Sequence, residues 1–373
     1  MAVGFPVKAD YATGDVLTAA QMNDLSGTLN TVPGSYGFTA GKNKIINGDF
    51  TINQRNFSSS TTSTAYGFDR FMMIYVDGTV TYSAQTFTAG TAPVAGYEAK
   101  NFARIVTSGQ TLAGARANWK QPIENVRTLA GQTATVSFWA KAGSGTPKIA
   151  VELWQGFGSG GSPSAGVPTY AGQVTLSTSW ARYSVTVAVP SISGKTIGTT
   201  ENTSELQCNL FVSAGTDLNS RTGSLGIQSN TFDIWGVQVE AGSIATPFQT
   251  ATGSLGGELT LCQRYLPAVI ADAYEVLGFA YSTTGSQYYL KLPTTARVKP
   301  TGITVSNVAH FNVLNTGFSS GATTAIAFNT SSIDTASLTV TTTAGSPTLV
   351  ASQPAKLQSV NASALILFTG CEL

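Results

Sequence analysis

The sequence predicts an all-β protein: an antiparallel β-sandwich with a smaller C-terminal β domain and a short N-terminal helix. Apolar or alternating runs recur along most of the 373 residues, and Gly, Pro, Ser and Asn separate them. This is the pattern of antiparallel strands joined by turns. No helical period between these runs exceeds two turns, which excludes a parallel α/β sheet. Because no fixed-period repeat is present, a β-helix, a propeller or a solenoid is not expected.

The first forty residues predict a short helix for attachment or self-association. Thr18 begins a capping-box pattern, and Met22, Leu25 and Leu29 then share one helix face before a Thr-Val-Pro-Gly stop signal. A helix this short is marginal alone, so it requires another domain or copies of itself as a partner. The alternative interpretation of residues 1–40 is a frayed terminus.

Residues 41–253 are predicted to form the sandwich, and residues 267–373 the smaller domain. Strand-like runs in the sandwich are Val80–Thr86, Ala103–Thr107, Thr133–Lys141, Lys148–Trp154, Ser184–Val189, Glu205–Val212 and Asp233–Glu240. Those in the smaller domain are Glu275–Tyr281, Gln287–Leu292, Gly302–Ser306, Ala336–Thr342 and Leu365–Thr369. Between the domains, residues 254–266 predict an amphipathic linker helix. Its apolar face consists of Leu255, Leu259, Cys262 and Leu266.

The composition predicts a neutral surface rich in hydroxyls and amides. Charged residues make up only 10% of the chain and the net charge is +1, whereas an ordinary soluble domain has roughly 25% charged residues. Binding to nucleic acid by counterion release needs a basic stripe, and so does a polybasic membrane anchor. No apolar run reaches the roughly 18 residues of a membrane span, and the start lacks a signal-peptide core. We therefore expect no nucleic acid partner, no membrane insertion and folding in a cytoplasm.

Motifs for catalysis or cofactor binding fail on their context. Gly156–Gly161 matches the G-x-G-x-x-G dinucleotide fingerprint, but Ser162–Pro168 cannot open the helix that would hold a pyrophosphate. That segment is predicted to be a long flexible loop. His310 is the single histidine, which leaves no histidine-based mechanism, and the three widely spaced cysteines are expected to be buried free thiols. No catalytic residue, cofactor or metal ligand follows from these motifs.

Paired carboxylates are the remaining route to catalysis, since glycoside hydrolysis needs only two acids on facing strands. The candidate acids are Asp69, Glu98, Glu124, Glu152 and Glu240. They are scattered, and their spacing does not show that any two meet. Carboxylates in β proteins are usually solvated or cap loops, so we expect a protein without enzymatic activity.

Two groups of side chains are candidates for binding sugars. Alternation along Lys148–Trp154 leaves Glu152 and Trp154 on the face opposite the core, beside the glycine loop. The second group consists of Asn118, Trp119 and Gln121. A flat aromatic ring stacks on sugar C–H groups while neighbouring amides and carboxylates read the hydroxyls. The alternative is that these tryptophans cover core edges or a subunit interface.

A series of motifs in a fixed order extends this interpretation. The motifs are Asn43–Arg55, Phe68–Phe71, Gln121–Glu124, Val136–Ala142, Ile234–Gly242, Thr246–Phe248 and Leu261–Tyr265. Together they resemble the carbohydrate-binding-like jelly-roll module of tail fibres and other virion proteins of bacteriophages, over roughly residues 43 to 266. The segment Gly14–Asn23 also resembles the virion-attachment end of such fibres.

The resemblance implies a two-sheet jelly-roll, a homotrimer and binding to host-surface polysaccharide. Related sugar-binding jelly-rolls often hold a structural calcium between the first strand and acids on the last. Asp49 matches the first position, but Ile234–Gly236 stands where paired acids are expected. The chain departs from the pattern there, and this departure puts a structural calcium in doubt.

The leading hypothesis is a phage tail fibre that acts as a structural and adhesive part of the virion. Residues 1–40 attach it to other virion proteins, the jelly-roll forms the shaft or platform, and the C-terminal domain reaches the host. One alternative is a head fibre, decoration or neck protein with a purely structural role. Another is a glycan depolymerase that uses paired acids.

Overall fold

Antiparallel sheets make up nearly the whole of the structure, a computed structural model that describes residues 40–94, 97–271 and 275–373. The predicted all-β class is confirmed. The predictions for the N-terminal segment, including the helix face of Met22, Leu25 and Leu29, lie outside the described residues. Residues 40–373 form one compact unit, in which the sandwich, a helix and the second β region follow in the predicted order.

The sandwich consists of two six-stranded sheets. Its strands are β1 (Ser59–Ser60), β2 (Ala65–Tyr66), β3 (Met72–Val76), β4 (Thr79–Thr86), β5 (Asn101–Ser108), β6 (Arg116–Ile123), β7 (Thr133–Ala142), β8 (Lys148–Gly156), β9 (Val167–Thr175), β10 (Ala181–Ala188), β11 (Glu205–Ala214) and β12 (Thr231–Ala241). Sheet I has the order β1-β4-β5-β12-β7-β10, and sheet II has the order β2-β3-β6-β11-β8-β9. From β5 onward the chain crosses repeatedly between the sheets, which is the winding of a jelly-roll.

The core lies between the two sheets and is rich in aromatic side chains. Alternation sends Val136 and Phe138 of β7 into this core, where both are fully buried, and sends Trp139 to the outward side, as predicted. Cys208 of β11 is also buried there, and all three cysteines of the chain are buried free thiols, which confirms that prediction.

The C-terminal region contains a closed barrel and a small sheet. Its strands are β13 (Ala268–Ala271), β14 (Glu275–Ala280), β15 (Gly285–Lys291), β16 (Gly302–Val305), β17 (Phe311–Leu314), β18 (Ser320–Ser331), β19 (Thr335–Thr342), β20 (Pro354–Ser359) and β21 (Ala364–Thr369). The barrel has the order β14-β15-β19-β18-β17-β20, and the small sheet has the order β13-β21-β16. His310, expected in a strand, ends the 3-10 turn Val308–His310 that precedes β17.

Two short α-helices are present among the described residues: α1 (Asn219–Thr222) and α2 (Leu255–Tyr265). A second 3-10 turn, Thr216–Leu218, leads into α1. Neither these helices nor the turns in the described part of the chain combine the length and apolar character that crossing a bilayer requires.

Helix α2 confirms the predicted element but not its predicted apolar face. The helix begins after Ser254, whose hydroxyl oxygen accepts a hydrogen bond from the backbone N–H of Gly257 at 3.1 Å. On the predicted face, Cys262 and Leu266 are buried, Leu259 is half-buried and Leu255 is 63% exposed. Glu258 takes the inward position instead, because its carboxylate accepts the backbone N–H groups of Asn47 at 2.8 Å and Thr252 at 2.7 Å.

Residues 371–373 fasten the C-terminal region to the sandwich. The Glu372 carboxylate accepts hydrogen bonds from the guanidinium groups of Arg55 at 2.6 Å and Arg70 at 2.7 Å. Arg70 is 1% exposed, so this ion pair is sheltered from water. From the C-terminal side, Arg297 donates to the backbone carbonyls of Cys371 at 2.8 Å and Glu372 at 2.7 Å. The two β regions are therefore joined by charged hydrogen bonds as well as by α2.

Candidate functional site

The strand register of sheet II gathers several polar and aromatic side chains on its outward side. Lys120 of β6 pairs with Asn209 of β11, which pairs in turn with Glu152 of β8, and Glu152 pairs with Tyr170 of β9. Residues that pair directly across a sheet point to the same side. In the adjacent row, Trp154 of β8 pairs with Gln207 of β11 and Pro168 of β9. We call the outward surface formed by Lys120, Gln207, Trp154 and Tyr170 the Trp154 face.

Trp154 is the predicted sugar-binding residue that the structure leaves accessible. It is half-buried on the outward side of β8, beside the glycine-rich loop, as the alternation predicts. Its indole lies against the backbone of two glycines. A Cβ on Gly166 would come within 2.3 Å of Cζ2 of the ring, and a Cβ on Gly156 within 2.3 Å of Cζ3. The ring is therefore positioned by close backbone contact that only glycine permits.

The glycine-rich segment does not form a dinucleotide site. It leads into strand β9 instead of a helix, so no helix N-terminus is available for a phosphate. The expectation of a free flexible loop needs correction, because the backbone N–H of Thr199 donates to the carbonyl of Gly160 at 3.1 Å and that of Thr200 donates to Ser159 at 2.9 Å. Loop 157–166 is thus hydrogen-bonded to the neighbouring segment 196–203.

Glu152 does not meet the expectation that it reads sugar hydroxyls. Its side chain is fully buried, and the Arg221 guanidinium of α1 donates to both carboxylate oxygens, with Nε–Oε2 and Nη2–Oε1 distances of 2.7 Å. The amide of Asn209 donates to Oε1 at 3.0 Å. The bidentate pair fixes α1 against the outward side of β8. Glu152 therefore supports the Trp154 face from the adjacent row on the same side of sheet II.

Asn118 belongs to the same supporting network. It is 6% exposed, and its side-chain amide donates to Oδ1 of Asn209 at 3.3 Å. Asn118, Asn209, Glu152 and Arg221 thus form a chain of side-chain hydrogen bonds across three strands and α1. The prediction that Asn118 contacts ligand directly is corrected to a role in holding this layer together.

Trp119 and Gln121 point the other way, into the sandwich. Trp119 is fully buried, and its ring stacks on Phe71 with centroids 4.3 Å apart and planes 14° apart. Gln121 accepts the backbone N–H of Ile46 at 2.8 Å and donates to the Ile46 carbonyl at 2.8 Å. Neither side chain is available to a sugar, so these two site predictions are wrong. Consecutive residues of a strand face opposite sides, which separates Trp119 from Asn118.

Three residues of the Trp154 face escaped the prediction from sequence. Tyr170 is 38% exposed, and Gln207 is half-buried beside Glu205, whose carboxylate accepts its amide at 2.5 Å. Lys120 is half-buried and makes no ion pair with the described residues; burial lowers the pKa of its ammonium group. The alternation of Thr169, Tyr170 and Ala171 after the glycine loop is the local signal that indicates an outward tyrosine.

The candidate catalytic acids are mostly engaged by cations or hydroxyls. Asp69 accepts from Arg55 at 2.9 Å, and burial raises its pKa to about 6. Glu124 accepts from Arg264 at 3.0 Å and from the Tyr265 hydroxyl at 2.9 Å. Of the other three acids, Glu152 is bound by Arg221, and Glu240 accepts a hydrogen bond from the Thr246 hydroxyl at 2.7 Å. Glu98 is exposed and accepts the backbone N–H of Gly90 at 3.1 Å. These contacts give the acids structural roles.

At the calcium position that the resemblance implies, the carboxylates have protein hydrogen-bond partners. The Asp49 carboxylate accepts the hydroxyls of Thr51 and Tyr97, each at 2.7 Å. On the last strand of the sandwich, Asp233 is held by both Nε and Nη2 of Arg104, at 2.7 and 2.8 Å. Over the described ranges, no group of three or more His, Cys, Asp or Glu side chains is arranged to hold a metal.

Comparison with known proteins gives structural likenesses only. No family model and no curated protein matches the chain. Among solved structures, it is similar to the enzymatically active domain of tailspike protein 4 of bacteriophage CBA120, with 13% identity, a TM-score of 0.31 and coverage of 54% of this chain and 21% of that one. The chain thus spans about a fifth of the tailspike.

Two carbohydrate-binding modules are similar at the same level. The CBM22-2 xylan-binding domain from Paenibacillus barcinonensis has 13% identity and a TM-score of 0.30, with coverage of 49% of this chain and 98% of that one. The family 11 module from Clostridium thermocellum has 9% identity and a TM-score of 0.29, with coverage of 51% and 99%. Because these TM-scores are near 0.3, the ligands of the similar proteins do not indicate the ligand of this chain.

Proposed function

We propose that this chain is a non-enzymatic phage tail fibre that binds host-surface polysaccharide through the Trp154 face. The observation that carries the proposal is the half-buried Trp154 indole, which is seated on two glycine backbones and flanked by Lys120, Gln207 and Tyr170. The assignment to a phage particle rests on the order of sequence motifs between residues 43 and 266.

The chemistry of the Trp154 face suits a saccharide. The indole supplies an apolar plane for the C–H groups of a pyranose. Around it, the amide of Gln207, the ammonium of Lys120 and the hydroxyl of Tyr170 offer donors and acceptors for sugar hydroxyls. The layer of hydrogen bonds through Glu152 and Asn209 holds the strands and α1 together beside these groups. Little conformational entropy is then lost when a ligand binds.

The state of the acids supports binding without hydrolysis. Glycosidases require a pair of carboxyl groups roughly 5 to 9.5 Å apart that reach the scissile bond from both sides. Beside Trp154, Glu152 is fully buried and bound bidentately by Arg221. Its oxygens are therefore occupied by donors from the protein.

Assembly would strengthen a weak contact of this kind. We propose that the chain forms a homotrimer and that residues 1–40 join it to other virion proteins. It would then function outside the cell as part of the virion. Linked copies of a binding site raise the effective concentration of the second and third contacts and can increase overall avidity about 100- to 10,000-fold. The neutral surface, with a net charge of +1, limits non-specific electrostatic binding.

The decisive experiment is a glycan-array screen of the whole protein, followed by the same screen on Trp154→Ala. The matched control is Trp180→Ala, because Trp180 is also half-buried but lies immediately before β10 of sheet I, with the Lys141 ammonium over its ring. We expect Trp154→Ala to lose binding while its circular dichroism and melting temperature stay close to those of the parent protein, and Trp180→Ala to keep binding. Unchanged binding by Trp154→Ala would overturn the proposed site.

Three further measurements test the remaining parts of the proposal. Incubation with the polysaccharide that binds should leave its chain length unchanged, and shortening would contradict the non-enzymatic assignment. Light scattering should give the mass of a trimer, and a stable monomer would contradict the assembly. Electron microscopy of labelled particles should place the protein on the tail; a label on the capsid would favour a head fibre or decoration protein.

A further inference from the structure

Arg116 and Lys120 of β6 differ from the other shielded cationic side chains of the protein. Both are half-buried, and neither side chain makes a hydrogen bond or an ion pair with the described residues. Every other lysine or arginine that is buried or half-buried in the described ranges forms an ion pair or donates to a hydroxyl or a backbone carbonyl. Because charges shielded from water are normally paired, these two exceptions require an explanation. We call them the cationic pair.

The strand register places the cationic pair on the same surface as Trp154. Arg116, Asn118 and Lys120 are alternate residues of β6, so they point to the same side of sheet II. That side is the outward one, on which Lys120 already belongs to the Trp154 face. Four residues along a strand separate the Cα atoms of Arg116 and Lys120 by about 13 Å. Two long side chains can cover this span from its two ends.

The neighbouring strand β3 surrounds the cationic pair with apolar groups. Lys120 pairs with Met72, and Arg116 pairs with Val76. Burial lowers the pKa of the Lys120 ammonium group; the charge of Glu205 acts against this change, and the charge of Arg116 adds to it. The two cations thus repel each other beside apolar side chains, where the attraction of either cation for an anion is stronger than in bulk water.

The acids in the neighbouring outward rows of sheet II do not neutralise the cationic pair. Glu205 of β11 attracts Lys120 but forms no ion pair with it, and its carboxylate accepts the amide of Gln207 at 2.5 Å. Glu152 of β8 is held at both oxygens by Arg221. The donor groups of the cationic pair are therefore left to solvent or to a ligand.

The position of the cationic pair favours an anion that is carried by a sugar. Lys120 and Trp154 lie two strands and two residues apart on the sheet, which is roughly 12 Å between their Cα atoms. A short oligosaccharide with one ring on the indole can extend over this distance. The guanidinium fork of Arg116 and the ammonium of Lys120 suit the oxygens of a carboxylate, a sulfate or a phosphate. Two cations do not make the basic stripe that nucleic acid requires.

We infer that Arg116 and Lys120 bind one anionic group of an acidic sugar, a carboxylate, sulfate or phosphate, while another ring of the same glycan stacks on Trp154. This inference rests on the proposed function and narrows its ligand from polysaccharides in general to acidic ones. Arg116 thereby becomes a specificity-determining residue of the binding surface. The anion supplies the partner that the protein itself does not give to the cationic pair.

The test uses the full chain on an array in which each acidic glycan is printed beside its neutral form. The pairs are uronic acid glycans and their carboxyl-reduced forms, sulfated and desulfated glycans, and phosphorylated and dephosphorylated glycans, so that the preferred pair identifies the anionic group. Isothermal titration calorimetry on that pair should give about tenfold tighter binding of the acidic member. The preference should fall in Arg116→Gln, in Lys120→Gln and most in the double variant, whereas Arg116→Lys keeps the charge and should keep most of it.

The matched control is Lys100→Gln, which removes the same charge from an exposed position immediately before β5 of sheet I and should keep the preference. Raising sodium chloride from about 50 mM to about 500 mM should weaken binding of the acidic member only, because salt screens charges near the surface. Circular dichroism and the melting temperature check that each variant is folded, and the single variants carry the test if the double variant unfolds.

The outcomes separate this inference from the proposed function. Equal binding of both members of every pair, or a preference that both single variants retain in full, overturns the inference and shows that the two side chains only cover the apolar groups of β3. Binding of neutral glycans that is lost in Trp154→Ala would still support the proposed function. A charge preference that persists in Trp154→Ala would contradict stacking on the indole, and binding to no glycan would overturn both proposals.

Discussion

The two sheets of the sandwich both carry tryptophan on their outward sides, but in different surroundings. On sheet I, Trp235 is fully buried, because the ring centroids of Trp139, Tyr97 and Phe248 lie 5.1 to 5.5 Å from its own. On sheet II, Trp154 is only half-buried and rests on glycine backbone instead of other rings. Position on an outward face therefore does not by itself indicate a binding residue. A tryptophan is available to a ligand only if other side chains do not cover its ring.

The covered cluster on sheet I acts as a second small core. Fully burying a large aromatic side chain contributes roughly 1.5 to 3 kcal/mol relative to leaving it exposed, and offset or edge contacts between rings add about 0.5 to 1.5 kcal/mol. The same ring on sheet II contributes less to stability and offers more surface to a ligand. The comparison can be tested by changing each face in turn.

The largest effect is expected for Trp235→Ala. Removal of this buried ring leaves a cavity beneath Tyr97 and Phe248, and substitutions of this kind cost roughly 3 to 5 kcal/mol. Urea denaturation should show this loss of unfolding free energy. At a temperature where the variant is folded, binding to polysaccharide should persist. A stability change below about 1 kcal/mol would show that the cluster is not a core.

Glu152→Gln tests whether the polar layer beside Trp154 supports the structure. The substitution removes the charge that neutralises Arg221 and keeps the size of the side chain. Breaking a buried pair costs about 3 to 5 kcal/mol. We expect roughly 2 to 3 kcal/mol, because Arg221 is 29% exposed and can turn toward water. If the variant keeps its stability but no longer binds sugar, Glu152 contacts the sugar directly, as the sequence predicts.

The difference between the two tryptophan groups also shows what local sequence can predict. Strand β8 has regular alternation, so the outward position of Trp154 followed from the sequence. Strand β6, Arg116–Ile123, contains Lys, Gln and Pro and is not among the strand-like runs that the sequence predicts. Its inward Gln121 completes hydrogen bonds to Ile46, which is 75 residues away in sequence. Local alternation does not reveal a polar residue turned inward by such a distant partner.

The barrel shows the same limit in another form. Strand β18, Ser320–Ser331, is built largely from Ser, Ala and Thr, and its exposed and half-buried residues alternate only in part. It becomes a strand because β17 and β19 pair with its two edges. Closure of the barrel depends on pairing between distant strands, and this pairing has no local signal in composition or period.

A smaller effect is expected for Gly166→Ala, which displaces the Trp154 ring without removing it. The new methyl group would lie 2.3 Å from Cζ2 of the indole, so the ring must move. We expect a loss of about 1 to 3 kcal/mol in stability from overpacking and a clear fall in sugar affinity. The control is Gly256→Ala in α2, where a Cβ meets nothing within 4 Å. Equal sugar affinity in Gly166→Ala and Gly256→Ala would show that binding does not depend on the position of the Trp154 ring.

The smallest effect concerns pH and Lys120. Burial lowers the pKa of its ammonium group below 10.5, so on raising the pH this group loses its proton before an exposed lysine does. If the ammonium donates to a sugar hydroxyl, affinity should fall about two- to threefold as the pH approaches that lowered pKa, since a hydrogen bond from a charged donor is worth more than a neutral one. Titration calorimetry across this range on the parent protein and on Lys120→Met measures the effect. The variant should bind slightly more weakly at neutral pH and show no such decline, whereas an identical pH profile in both proteins would exclude Lys120 from the contact and confine the Trp154 face to the indole and its neutral neighbours.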